Sequence, residues 1–162
     1  MEAYVIATAC TKFEKKADQT FKNLTEEVYC DLLKSAKVEN GNMIGQAWFG
    51  NCGMGTFGQN NIRGQVCFTP LVQKKLFPER VGIINVEGGC ATGSMAFHGA
   101  WKDVISGTED VSLAIGVEKI YQPNQPEKIQ EIYDGGIDQF DRKEWLEFYK
   151  SIGNELGKPF DP

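Results

Sequence analysis

The stretch from Val81 to Ile120 constrains the chain most, because it specifies a strand, a sharp turn, a helix and a second strand in succession. Gly82-Ile83-Ile84-Asn85-Val86 is a β-branched run of strand length, and it breaks into Gly88-Gly89, residues that allow backbone conformations a side chain forbids. From Ala91 onward, Phe97, Trp101, Val104 and Ile105 recur at i, i+4, i+7 and i+8, which predicts one apolar helix face, and Gly107 is a good residue to end that helix. Val111 to Val117 is then nearly continuous in apolar residues and suits a strand covered on both faces. Cys90 falls where the first strand turns into the helix.

That position has chemical consequences. The first backbone N–H groups of a helix are unpaired and carry the positive end of its dipole, which favours thiolate over thiol and can stabilise an oxyanion held against the sulfur. The residues alone leave two readings open: an activated nucleophile, or a small buried cysteine chosen for packing. A Cys–His pair with His98 is excluded by helix geometry. Eight residues along one helix place His98 about 12 Å further on and about 80° around, beyond reach of Cys90. His98 is therefore expected to be packed or interfacial.

The remaining chain alternates strand and helix patterns. Ala3 to Cys10 reads as a first strand, and Thr11 to Gln19 as a loop. Leu24, Val28, Leu32 and Ala36 repeat every four residues, with Glu26 and Glu27 early and Lys34 and Lys37 late, a charge order that suits a helix dipole. Asn40-Gly41 signals a turn, Met43 to Gly50 a strand, and a helix is expected from Asn60 to about Cys67, resuming after Pro70 and ending before Pro78. This βαβαβαβ order predicts an α/β layered domain with parallel pairing and right-handed crossovers. The glycine-rich stretch Gly50 to Gly58 lacks the spacing of a phosphate loop. Beyond Ile120 the chain turns polar, although Trp145, Leu146 and Phe148 interleave with charges in a short helical pattern.

Composition narrows the function classes. The chain has 162 residues, 41% hydrophobic and 24% charged, ordinary for a single globular domain. A formal net charge of −5 gives no basic footprint for nucleic acid or an anionic membrane, and the apolar runs are far short of the ~20 residues that span a bilayer. Met1-Glu2-Ala3 lacks the basic start of a signal peptide. Five cysteines, at 10, 30, 52, 67 and 90, are widely spaced with no C-x-x-C, and there is one histidine, so no metal site and a reducing, cytoplasmic compartment are expected.

Val86-Glu87-Gly88-Gly89-Cys90-Ala91-Thr92-Gly93, followed by Val111-Ser-Leu-Ala-Ile-Gly-Val-Glu-Lys119, resembles the nucleophile region of thiolases, closest to the sterol-carrier-protein type and the acetyl-CoA acetyltransferases of archaea and bacteria. Phe57-Gly58-Gln59-Asn60-Asn61-Ile62-Arg63-Gly64-Gln65 is similar to the family's Gly-Gln-Asn-Pro-x-Arg-Gln segment, with Asn61 where proline is usual; Gly88 likewise replaces the usual alanine. The resemblance implies the N-terminal half of a thiolase-like layered αβαβα fold with a mostly parallel mixed sheet. Residues 1–120 would form the core and 121–162 the start of the loop region inserted between two strands, whose aromatics would line an acyl pocket or pack onto the domain. It implies Cys90 as nucleophile, Cys52 on a tight backbone passage near the mouth of the Cys90 pocket, and a base and second acid/base group in a C-terminal half that no segment here resembles. Acyl-CoA and coenzyme A would be substrates, with no bound cofactor. Partners implied are a second copy in a dimer or tetramer and a small zinc-ribbon/OB-fold protein. Alternatives are another condensing enzyme of the superfamily, of the ketoacyl-ACP synthase III or hydroxymethylglutaryl-CoA synthase type, a non-catalytic assembly or channelling subunit, and a thiol-based redox protein.

Overall fold

A computed structural model describes residues 2–159. Its centre is strand β1, Gln46–Gly50, which pairs in parallel with β2, Gly82–Val86, on one side and with β3, Ser112–Gly116, on the other, giving the order β2-β1-β3. Helix α1 (Phe21–Ala36) precedes β1, α2 (Arg63–Gln73) joins β1 to β2, and α3 (Thr92–Ile105) joins β2 to β3. Two further helices, α4 (Glu127–Asp134) and α5 (Arg142–Glu155), follow β3. Within the described residues this is a mixed α/β fold on an all-parallel sheet, as the alternating pattern predicts. Among the described residues, no helix is long and apolar enough to cross a membrane.

The pleat of β1 divides its side chains between two layers. Ala47 and Phe49 are fully buried on the face covered by α1 and α2, where Tyr29, Phe68 and Phe77 form edge-to-face pairs with ring centroids 4.5 to 6.0 Å apart. Trp48 faces α3 instead. A Cβ added to Gly99 would lie 2.3 Å from the Trp48 ring, so glycine is what lets α3 sit this close to the sheet. Asp103 on α3 completes the attachment by accepting hydrogen bonds from Trp48 Nε1 at 2.6 Å and Ser112 Oγ at 2.7 Å.

Several sequence expectations are corrected. Ala3–Cys10 is not a strand: it has no sheet partner, and Tyr4, Val5 and Ile6 are 76%, 63% and 66% exposed. A strand needs a neighbour at hydrogen-bonding distance, and a cavity separates this run from the edge of β3. Helix α2 runs unbroken through Pro70, because burial of Cys67, Phe68 and Leu71 on either side outweighs the loss of one backbone donor. The buried face of α3 consists of Thr92, Ala96, Gly99 and Ala100, while Phe97 and Trp101 are 55% and 42% exposed. In α1 the buried residues are Leu24, Thr25, Tyr29 and Leu33, one position off the predicted four-residue stripe after Leu24. Finally, α5 buries none of its residues in the domain; Trp145 instead packs against Phe148 and Tyr149 on its own helix, with ring centroids 6.0 and 5.5 Å away.

The Gly99 contact yields a stability test. Gly99→Val forces a branched side chain into the Trp48 ring and is expected to cost about 1–3 kcal/mol or more, the usual range for overpacking. Gly93→Ala, where an added Cβ meets nothing within 4 Å, is expected to be neutral or to stabilise by up to about 1 kcal/mol. Urea unfolding of both variants checks the pair.

Candidate active site

Because the three strands are parallel and in register, their C-terminal ends lie at one level, where ligands commonly bind in open α/β sheets. Asn51-Cys52 leaves β1 there, Glu87 to Cys90 leaves β2, and Val117-Glu118 leaves β3. Asn51, 1% exposed, ties these ends together. Its N–H donates to Val86 C=O at 3.3 Å and its Nδ2 to Val117 C=O at 2.7 Å, while its Oδ1 accepts from Met54 N–H at 3.0 Å. The Glu118 carboxylate caps the turn after β1, accepting from the N–H groups of Cys52 at 2.9 Å and Gly53 at 3.1 Å.

Cys90 occupies the middle of a one-turn 3-10 segment, Gly89–Ala91, that feeds directly into α3. Gly89 has φ +56°, a left-handed conformation that favours glycine. Thr92 Oγ1 accepts from Gly88 N–H at 2.9 Å and donates to Gly89 C=O at 2.7 Å, and Glu87 Oε1 accepts from Gly89 N–H at 2.6 Å. Short side chain–backbone bonds thus hold the loop on both sides of the cysteine. The space that an alanine would need at position 88 is filled by Met95 Sδ, 2.2 Å from where its Cβ would stand. Cys90 itself is exposed among the described residues.

The other candidates fall as follows. His98 is exposed on α3 and lies beside Trp101, ring centroids 5.4 Å apart, so it is not packed into the core. Cys52 lies close to the Cys90 loop, with its Sγ 3.8 Å from the same Glu87 Oε1 that holds Gly89. Partial burial, followed by the charges of Glu87 and Glu118, pushes the Cys52 thiol up and disfavours its thiolate. Burial likewise pushes up Cys67 and Cys30. Arg63 of the Phe57–Gln65 segment donates from Nη1 to Asn51 C=O at 2.7 Å, and Asn85 Oδ1 accepts from Gly64 N–H at 2.6 Å, so that segment is fastened to the ends of β1 and β2. Among the described residues, no group of three or more His, Cys, Asp or Glu side chains could hold a metal ion.

Sequence reasoning overlooked Asn51, Glu87 and Glu118. Their signal lay in their positions: each follows a predicted strand by one or two residues, where a polar side chain can satisfy the backbone of the next loop.

Comparison with known proteins gives this arrangement a family. Residues 3–143 match the thiolase N-terminal domain. The chain is 32% identical over 117 residues to the benzoylsuccinyl-CoA thiolase subunit BbsB of Thauera aromatica, and 31% identical over 117 residues to an acetyl-CoA acetyltransferase of Methanocaldococcus jannaschii. Each alignment covers 72% of this chain and 28% of the relative. The protein belongs to the thiolase family, as a match to its N-terminal domain.

The thiol environments predict an order of alkylation by iodoacetamide. Cys90, exposed at the start of α3, is expected to react fastest of the five in the assembled protein, and buried Cys67 slowest. Glu87→Gln removes a negative charge beside Cys52 and is expected to speed Cys52 alkylation near neutral pH by no more than about fivefold, since water screens the pair. Peptide-level labelling rates decide both. Cys90 as the slowest of the five contradicts the site reading.

Proposed function

We propose that the chain supplies the nucleophile of an acyl-CoA acyltransferase, with Cys90 as the attacking residue. The observation that carries this reading is an exposed thiol, held by a positive-φ glycine and hydrogen-bonded loop at the start of α3, in a thiolase N-terminal domain. The Cys90 thiolate adds to the keto carbon of a β-ketoacyl-CoA. As the carbonyl re-forms, the bond between the α and β carbons breaks, and its electron pair leaves as the enolate of acetyl-CoA or another acyl-CoA, which takes up a proton. Coenzyme A, losing its thiol proton to a base, then attacks the Cys90 thioester and releases the shortened acyl-CoA and the free thiolate. The same steps in reverse give Claisen condensation.

The base is not His98, and Cys52 is a poor candidate because its thiolate is disfavoured. We place the base and the second acid/base group in the polypeptide that corresponds to the rest of the relatives' length. We further propose that residues 1–120 form the catalytic platform and that 121–162 open the inserted loop region. The working protein is a dimer or tetramer in the cytoplasm, accompanied by a small zinc-ribbon/OB-fold protein. Acyl-CoA and coenzyme A act as substrates, with no bound cofactor.

Intact-mass measurement of the complete assembly after incubation with acetyl-CoA is the test. A mass increase of one acetyl group that disappears in Cys90→Ala is expected. An unchanged mass overturns the acyl-transfer reading and favours a non-catalytic assembly subunit.

A further inference from the structure

The edge of the sheet that carries Cys90 also carries a second thiol. Cys52 and Cys90 leave adjacent strands, β1 and β2, and two contacts bracket them. On one side a single oxygen, Glu87 Oε1, lies 3.8 Å from Cys52 Sγ and 2.6 Å from the N–H nitrogen of Gly89, the residue before Cys90. On the other, Gly50, just before Asn51-Cys52, faces Thr92, just after Cys90-Ala91: a Cβ added to Gly50 would stand 3.0 Å from Thr92 Cγ2 and 3.3 Å from its carbonyl oxygen. The remaining thiols belong elsewhere, Cys30 to α1, buried Cys67 to α2, and Cys10 to the N-terminal run that lines a cavity with β3.

The two thiols differ as the members of a redox pair must. Cys90 is exposed at the start of α3, where helix amides favour the thiolate, the form that a peroxide oxidises. Cys52 is half-buried, and burial together with the charges of Glu87 and Glu118 disfavours its thiolate, so it stays reduced until an electrophilic sulfur is presented to it. Its backbone is fixed, because the N–H groups of Cys52 and Gly53 both donate to the Glu118 carboxylate. The Cys90 side is the adjustable one. Gly88 and Gly89 precede it, and a disulfide needs Cα atoms ~4.4–6.8 Å apart. Release of Gly89 N–H from the Glu87 carboxylate lets the exposed turn close on Cys52.

We propose that Cys52 is a resolving thiol for Cys90, and that the two form a reversible disulfide when a hydroperoxide reaches the site. The Cys90 thiolate attacks one peroxide oxygen. The O–O bond breaks, the sulfur is oxidised to a sulfenic acid, and the other oxygen leaves and takes up a proton. The Cys52 sulfur, giving up its own proton, then attacks the Cys90 sulfur; the S–S bond forms, the S–O bond breaks, and that oxygen departs as water. Two thiols and one hydrogen peroxide thus give one disulfide and two waters, and a dithiol reductant reverses the bond by two exchange steps. In a reducing compartment such a bond is transient, and it stops Cys90 short of the irreversible sulfinic acid. That the disulfide also blocks acyl transfer rests on the function proposed above; the disulfide itself does not.

Treatment of the complete assembly with hydrogen peroxide, followed by intact-mass and non-reducing peptide analysis, tests the pair. The wild-type protein is expected to lose two hydrogens, to yield a linked peptide containing Cys52 and Cys90, and to return to its starting mass with dithiothreitol. Acetyl loading at Cys90 is expected to be lost and regained in step. If the untreated protein takes up no acetyl group, the acyl-transfer reading fails while the disulfide readout stands. In Cys52→Ser, and equally in Cys52→Ala, no linked peptide is expected, and Cys90 gains two oxygens that dithiothreitol does not remove. Dimedone, which traps sulfenic acid, is expected to label Cys90 more heavily in both variants than in the wild type. Three results overturn the proposal: Cys90 reaching the sulfinic acid as readily in the wild type as in the variants, Cys90 linked to a cysteine other than Cys52, or Cys90 unchanged by peroxide that oxidises exposed Cys10.

Discussion

Everything in this domain depends on β1 being paired in parallel on both sides. That single arrangement aligns the ends of three strands, so that loops separated by up to 67 residues in sequence meet at one edge. Asn51 turns the alignment into a fixed geometry. Its buried side chain bonds the end of β3 and the turn after β1, while its backbone bonds the end of β2. A buried amide with satisfied partners makes this junction specific, because any slip in register would leave those groups unpaired. The Gly88-Gly89-Cys90 turn is built on that junction.

The same pairing accounts for the close approach of α3. Trp48 projects from β1 toward the helix and is met by the bare backbone of Gly99, while its indole N–H is taken by Asp103. Small residues on the inner face of α3 are therefore a consequence of a large residue on the strand beneath. This packing fixes the axis of the helix whose first turn follows Cys90, linking the stability of the sheet to the presentation of the thiol.

Much of this was legible in the sequence, and the exceptions have physical causes. The run Gly82–Val86, the Gly-Gly break and the apolar stretch from Val111 specify β2, the turn and β3 through local conformational preference, so they formed where expected. The helix positions were also readable, but their buried faces were not. Periodicity marks Val28 and Leu32, or Phe97 and Trp101, as apolar without saying which neighbour covers them, and positions beside them are the fully buried ones. Ala3–Cys10 has strand composition but lacks a partner, and a strand is a property of two chains. The anchoring roles of Asn51, Glu87 and Glu118 were hidden because they depend on contacts between distant segments. The exposure of Cys90 is equally a property of the tertiary structure.

On the proposed function, Cys90 is the nucleophile and the base that would drive turnover lies outside these residues. General acid–base groups contribute ~10²–10⁴-fold each, and His98 lies beside Trp101 well along α3 from the Gly89–Ala91 segment that holds Cys90. The most direct measurement is thiolysis of acetoacetyl-CoA and of an aromatic β-ketoacyl-CoA by this chain alone and by the chain together with the completing thiolase polypeptide. Cys90-dependent turnover is expected only when both are present. Cys90-dependent turnover by the 162-residue chain alone would mean that the base lies within these residues, contrary to the proposed function.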